Sequence, residues 1–165
     1  MIIRRVSEAD AGEIADIYNV YVKESTASFE IEELTDEDMR CRIADTATHC
    51  PYWVCEEDGK IIGYCYAHPW KERAAYAKTL ETTVYVAADC KGKGVGRMLM
   101  QRVIDDCRAL GYVALVACIT GGNEASVRLH ERLGFRQVSH FRKVGFKLGL
   151  WLDVVDYELL LQEMP

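Results

Sequence analysis

The sequence predicts one α/β domain, a mixed central sheet flanked by helices, over all 165 residues. Three observations carry that prediction. Strand-like and helix-like segments alternate in the order β-α-α-β-β-β-α-β-α-β-β. Asp58-Gly59 joins two aromatic and branched runs as a two-residue hairpin, so part of the sheet is antiparallel. Val113–Ile119 is almost wholly apolar, as a strand covered on both faces should be. A hairpin inside the alternation argues against a doubly wound dinucleotide-binding sheet.

Each element has its own local reason. Ile2–Val6 is a short apolar strand, and Ser7 with Asp10 three residues on reads as a helix start. Ala11, Ile14, Ala15, Tyr18 and Val22 then recur at helical spacing, which predicts a helix to about Lys23. Ser25–Ile31 is irregular or briefly extended. Thr35 opens a second helix, with Asp36, Glu37 and Asp38 at its positive end. Tyr52–Glu57 and Lys60–His68 are the hairpin strands, the second stopped by Pro69, and Leu80–Val86 is the next strand. Lys91-Gly-Lys-Gly-Val-Gly-Arg97 follows and opens a helix whose apolar positions are Val95, Leu99, Val103 and Cys107, ended by Gly111. After the Val113–Ile119 strand, Asn123–Leu133 is a helix closed by Gly134. Two last strands lie near Arg136–Val144 and Leu152–Leu161.

Composition removes several function classes. Twenty basic against 26 acidic side chains leave a net charge of −6, which repels a phosphate backbone and argues against nucleic acid as a partner. No apolar run is long enough to span a bilayer, and the N-terminus has no hydrophobic signal core, so neither membrane nor export is expected. The seven cysteines are odd in number and form no Cys-x-x-Cys pair. Most, such as Cys55 and Cys118, sit in apolar runs and read as small buried hydrophobes in a reducing, cytoplasmic protein. The four histidines show no metal spacing, so no metal site is expected.

The most informative segment is the loop from Lys91 to Arg97. Alternating glycines let backbone approach a ligand closely, and the free N–H groups of a first helical turn make an anion site suited to a pyrophosphate. Lys93 and Arg97 add charge. Taken alone, the loop reads equally well as a tight strand–helix turn. The spacing of a Walker A loop is absent, and the next strand lacks the acidic residue of a dinucleotide fingerprint.

Lys91-x-x-Gly94-x-Gly96 resembles the acyl-CoA pyrophosphate loop of the GNAT-type N-acetyltransferases, usually [Gln/Arg]-x-x-Gly-x-[Gly/Ala], with Lys91 departing from the usual first residue. Asn123-x-x-Ser126-x-x-x-His130-x-x-x-Gly134-Phe135 resembles the family's downstream motif. Thr26–Glu30, Pro69–Tyr76, Leu80–Val86 and Gly145–Val154 resemble the phosphinothricin and methionine sulfoximine acetyltransferases, although Leu148 stands where some members carry His. The resemblance implies acetyl-CoA as cosubstrate and a small amino acid analogue as acceptor. It implies that Val84, Tyr85 and Val86 pair with the pantetheine arm, that Gly92, Lys93, Gly94, Val95, Gly96 and Arg97 hold the pyrophosphate, and that Asn123 and Ser126 lie further along the cofactor. Glu81 is the implied base. The N–H of Val84 or Tyr85 is the candidate donor to the thioester oxygen. His130 stands at a tyrosine-acid position, where it either donates a proton or packs. Phe29, Lys71, Arg73 and Tyr76 are the expected substrate contacts. A homodimer, with Trp151 lining the partner's pocket, is implied by resemblance alone. The rival readings are a protein or peptide N-acetyltransferase and a non-catalytic CoA-binding module.

Overall fold

A computed structural model describes residues 1–162. Its strands β1 (Ile2–Arg5), β2 (Tyr52–Glu57), β3 (Lys60–Pro69), β4 (Thr79–Val86), β5 (Ala114–Thr120), β6 (Arg136–Gln137), β7 (Phe141–Lys147) and β8 (Leu150–Leu160) form one sheet. The order is β1-β2-β3-β4-β5-β8-β6, with β7 also paired to β8. Only β4 and β5 run parallel, and every other pairing described is antiparallel. The mixed sheet is as the alternation predicts.

The helices begin where their capping residues say they should. Ser7 and Asp10 form a capping box, and a 3₁₀ turn there runs straight into α1 (Ala11–Glu24). Thr35 and Asp38 form a second box at the start of α2 (Asp36–Ala47). Helix α3 (Val95–Ala109) buries Val95, Leu99, Val103 and Cys107 completely against one face of the sheet, each worth about 1–3 kcal/mol of apolar burial. Helix α4 (Glu124–Arg132) lies on the same side, while α1 and α2 cover the other face over Tyr52, Val54 and Tyr64. The hairpin at Asp58-Gly59 has φ of 52° and 75°, both in the left-handed region that a two-residue turn requires.

Two sequence expectations need correction. The strand expected over Arg136–Val144 is broken into β6 and β7, and β8 starts at Leu150 rather than Leu152. A second tight turn at Leu148 (φ 52°) and Gly149 (φ 75°) joins β7 to β8. A leucine in left-handed conformation carries no turn signal of its own. Cys118 is exposed, not buried: it is the one open position in β5. Helices α1 and α2 do not extend over that part of the sheet.

The feature that positions the site is a parting of strands. β4 and β5 pair only through Thr79↔Ala114, Leu80↔Leu115 and Glu81↔Val116. Beyond Glu81, β4 stays with β3 as far as Val86, and β5 stays with β8 as far as Thr120. A wedge-shaped gap opens between them, with Glu81 at its vertex.

Candidate active site

The gap widens into a cleft of about 1000 Å³ bordered by the parted strands, the glycine loop, the first turns of α3 and α4, and residues 27–30. Its β4 wall has unpaired backbone. Ala87 N–H donates to Ile62 O at 2.9 Å and Trp70 N–H to Thr79 O at 3.4 Å, which fixes the alternation of the β3–β4 ladder. Thr83 and Tyr85 therefore exchange hydrogen bonds with β3, while Val84 and Val86 turn their N–H and C=O groups toward the gap. Of the two expected oxyanion donors, Val84 is the one aimed into the cleft. The N–H of Tyr85 is committed to β3. The Val86 carbonyl is already taken by the Tyr21 hydroxyl at 2.6 Å.

The glycine loop has the geometry its sequence demands. Gly92 and Gly94 have φ of 79° and 84°, and Gly94 caps α3 with no side chain. The first-turn N–H groups of Val95, Gly96 and Arg97 are therefore left for a ligand at the positive end of a 15-residue helix. A Cβ at Gly96 would meet Leu129 and Val86 only at ordinary contact distance, 3.5 and 3.6 Å. Packing alone does not require glycine there. Lys91 and Arg97 border the cleft; Lys91 lies over the Tyr21 ring, 4.7 Å from its centroid. Lys93 does not border it, and its Nζ lies 3.9 Å from Cys90 Sγ.

Asn123 borders the cleft and caps α4, accepting from the Ser126 N–H at 3.2 Å. His130 is 3% exposed and packs edge-on to Phe135. Its Nδ1–H donates to the Ser126 carbonyl at 2.8 Å, which leaves Nε2 as an acceptor in the neutral ring. Burial holds its pKa below the ordinary value, opposed by the Ser126 bond. A neutral imidazole with that tautomer has no proton to give from Nε2. His130 borders the cleft and packs against Phe135, with its Nδ1 proton held by Ser126.

Glu81 is half-buried, with Oε1 3.9 Å from His68 Nε2 on β3. Burial raises its pKa, His68 opposes this, and Asp156 adds to it. Cys118 opens onto the same cleft. The cleft walls around it reduce solvation of a thiolate and, with Glu81 and Asp156 nearby, push the thiol up to about 12, so it stays protonated and a poor nucleophile near neutral pH.

Phe29 borders the cleft, whereas Lys71, Arg73 and Tyr76 do not line it. Lys71 stacks on Trp70, 4.1 Å from that ring's centroid, and Trp70 packs edge-on to Tyr76. The connection carrying them leaves β3 and enters β4 beside the His68–Glu81 pair, so it stands at that end of the cleft. A smaller cavity of about 260 Å³ is lined by Tyr18, Arg42, Asp45, Tyr52, Tyr64, Tyr66 and His68, while Glu81, the neighbour of His68, borders the larger cleft.

Comparison with known proteins decides the family. The model of the acetyltransferase (GNAT) family matches residues 14–135. The chain belongs to the GNAT acetyltransferase family. It is 42% identical over 155 residues to a phosphinothricin N-acetyltransferase of Alcaligenes faecalis, covering 93% of this chain and 79% of that one. It is 37% identical over 164 residues to an L-methionine sulfoximine/L-methionine sulfone acetyltransferase of Salmonella typhimurium, covering 99% and 96%. Among solved structures it resembles a GNAT phosphinothricin acetyltransferase from Sinorhizobium meliloti in complex with acetyl-CoA. The TM-score is 0.93 at 32% identity, and 96% and 87% of the two chains are covered.

The cleft of this acetyltransferase fits acetyl-CoA on its own geometry. An unpaired strand edge suits the amide-bearing pantetheine arm, and an uncapped helix start suits a pyrophosphate. Sequence reasoning missed His68, Tyr21 and Asp156. The β3–β4 register brings His68 to Glu81, and α1 carries Tyr21 to the loop. No local pattern announces either.

Proposed function

We propose that this GNAT enzyme transfers acetyl from acetyl-CoA to the α-amine of a small amino acid analogue of the methionine sulfoximine or phosphinothricin kind. The position of Glu81 carries the reading. A carboxylate with raised proton affinity stands at the vertex of the gap whose β4 wall carries the free Val84 N–H, and its neighbour His68 lines a cavity of about 260 Å³. That volume lies below the roughly 300–1,000 Å³ of drug-sized ligand sites and favours a small acceptor over a peptide.

Glu81 takes a proton from the acceptor ammonium, and the free amine attacks the thioester carbon directly. The tetrahedral adduct collapses with cleavage of the C–S bond, CoA leaves as thiolate, and the proton shed by the new amide nitrogen passes to that thiolate or to solvent. Val84 N–H donates to the thioester oxygen as charge builds there. The first-turn N–H groups of Val95, Gly96 and Arg97, with Lys91 and Arg97, hold the pyrophosphate and so orient the thioester. His130 borders the cleft and serves there as a packing residue. Phe29 and Tyr66 flank the acceptor, and Lys71 and Arg73 at the cleft end attract its carboxylate. The protonated Cys118 favours direct attack over an acyl-enzyme. The seven free thiols fit a cytoplasmic setting. We further read the chain as a homodimer through the apolar β7–β8 hairpin.

The test is mass spectrometry of products from acetyl-CoA with methionine sulfoximine, phosphinothricin and a panel of free amino acids. Acetylated sulfoximine, lost in Glu81→Gln, is the expected result. No acetylated amino acid, despite tight CoA binding, sinks the acceptor claim and moves the reading to a peptide acceptor or a CoA-binding module.

A further inference from the structure

Gly145, Phe146 and Lys147 open the Gly145–Val154 segment, and nothing in the chemistry above uses them. These residues end β7, with Gly145 and Lys147 on the same face of the strand. That face meets residues 25–31, the irregular segment whose Ala27, Ser28, Phe29 and Glu30 border the cleft. A Cβ at position 145 would lie 2.3 Å from Phe29 Cε2 and 2.8 Å from Cζ. Only glycine leaves room for that ring. Lys147 is 5% exposed, and its partners are backbone carbonyls. Nζ donates to Ser28 O at 2.6 Å and to Tyr21 O at 3.3 Å. The Tyr21 carbonyl lies in the last turn of α1, where peptide dipoles present negative charge, and it also receives the Ser25 N–H. One ammonium thus ties the end of α1, the cleft-lining segment and β7 together.

A buried lysine is an expensive way to add stability, since an apolar side chain of similar volume does as well or better. Its advantage is directional: it pins two carbonyls from different segments. The other ties on the segment flank this one. Thr120 Oγ1 donates to Thr26 O at 2.6 Å, Tyr18 and Ser28 share a hydroxyl bond of 2.7 Å, and Arg42 grips Glu30 at 2.5 and 3.2 Å.

We propose that Lys147 is a positioning residue for the acceptor: with Gly145 it clamps residues 25–31 against β7 and so sets Phe29 and Glu30 at the amine side of the cleft. This rests on the reading that the amine enters there, and the experiment separates the two. Hydrogen exchange at amides 25–31 and acetyl-CoA calorimetry need no acceptor, whereas steady-state kinetics with methionine sulfoximine does.

In Lys147→Met, exchange over 25–31 should quicken about tenfold, the size of one charge-assisted hydrogen bond. Acetyl-CoA affinity should stay within about twofold. The acceptor KM should rise about tenfold with little change in kcat, because only ground-state and transition-state placement of the amine is weakened together. Lys147→Arg, which keeps charge and donors, should recover part of the KM. Unchanged exchange in folded Lys147→Met overturns the clamp, and faster exchange with unchanged acceptor KM overturns the positioning role. If Lys147→Met does not fold, Gly145→Ala keeps the ammonium and displaces Phe29, and its acceptor KM must rise; an unchanged value overturns the proposal. A wild-type protein that acetylates no amino acid defeats the acceptor reading alone, and the exchange result still decides the clamp.

Discussion

Glu81 sits on the last pair that β4 shares with β5, and its proton affinity follows from that place. Burial raises it, His68 lowers it, and Asp156 raises it again. In the proposed mechanism the base form is the working form, so activity should be lost as pH falls through this pKa, above the ordinary carboxyl value of 4.5. The profile of kcat/KM with methionine sulfoximine should show an acid limb there, absent from the residual activity of Glu81→Gln. His130→Phe should keep that limb and lose less than about tenfold in rate, since a true acid is worth about 10²–10⁴. A larger loss would restore His130 as a proton donor. The same shift has a stability sign. The folded state favours protonated Glu81, so this group's contribution is present at low pH and lost as pH rises through its folded pKa. Glu81→Gln should therefore be no less stable than wild type near neutral pH, which separates a lost base from a lost fold.

At the level of the element, helix α3 shows how a turn and a ligand impose different demands on glycine. Gly94 needs its glycine for the backbone, because φ is 84°. Gly96 does not, since a Cβ there meets neighbours at ordinary distance. Gly96→Ala should leave thermal stability unchanged or raise it by up to about 1 kcal/mol, the helix preference of alanine. It should weaken acetyl-CoA binding in calorimetry by about tenfold, as a lost backbone contact would. Equal affinity would remove Gly96 from the pyrophosphate site. The capping boxes at Ser7 and Thr35 were readable because a box is a four-residue pattern. The break of the final strands was not, because a leucine supplies the positive φ at position 148 and Lys143 (φ 52°) lies within the register shift of β7.

Over the whole molecule, the β7–β8 hairpin stands out for apolar exposure. Phe146 and Trp151 are 55% and 64% exposed and lie 5.0 Å apart, with Val144, Leu148 and Leu150 exposed nearby. Scattered apolar exposure is ordinary; this set on one hairpin is the surface that the proposed dimer would cover. The proposed homodimer should appear at micromolar concentration in sedimentation velocity, and Trp151→Glu should shift it toward monomer. A wild-type monomer at those concentrations would end the dimer reading. Lys147 ends the same strand, so this surface and the cleft-lining segment share one support.

The glycine loop, the capping boxes, the hairpin turn and the apolar faces of α1 and α3 follow from residue type at short spacing, so the sequence by itself determined the mixed α/β fold and the glycine-rich start of α3. It also marked Glu81 through family resemblance. Only the tertiary structure decided where β4 and β5 part, that Val84 rather than Tyr85 faces the gap, and that His68 stands beside Glu81. It also committed the His130 proton to Ser126, opened Cys118 to the cleft and stacked Lys71 on Trp70. The physical reason is range. Propensity and capping act within a few residues, whereas strand register, burial and the fate of each hydrogen bond depend on partners tens of residues away.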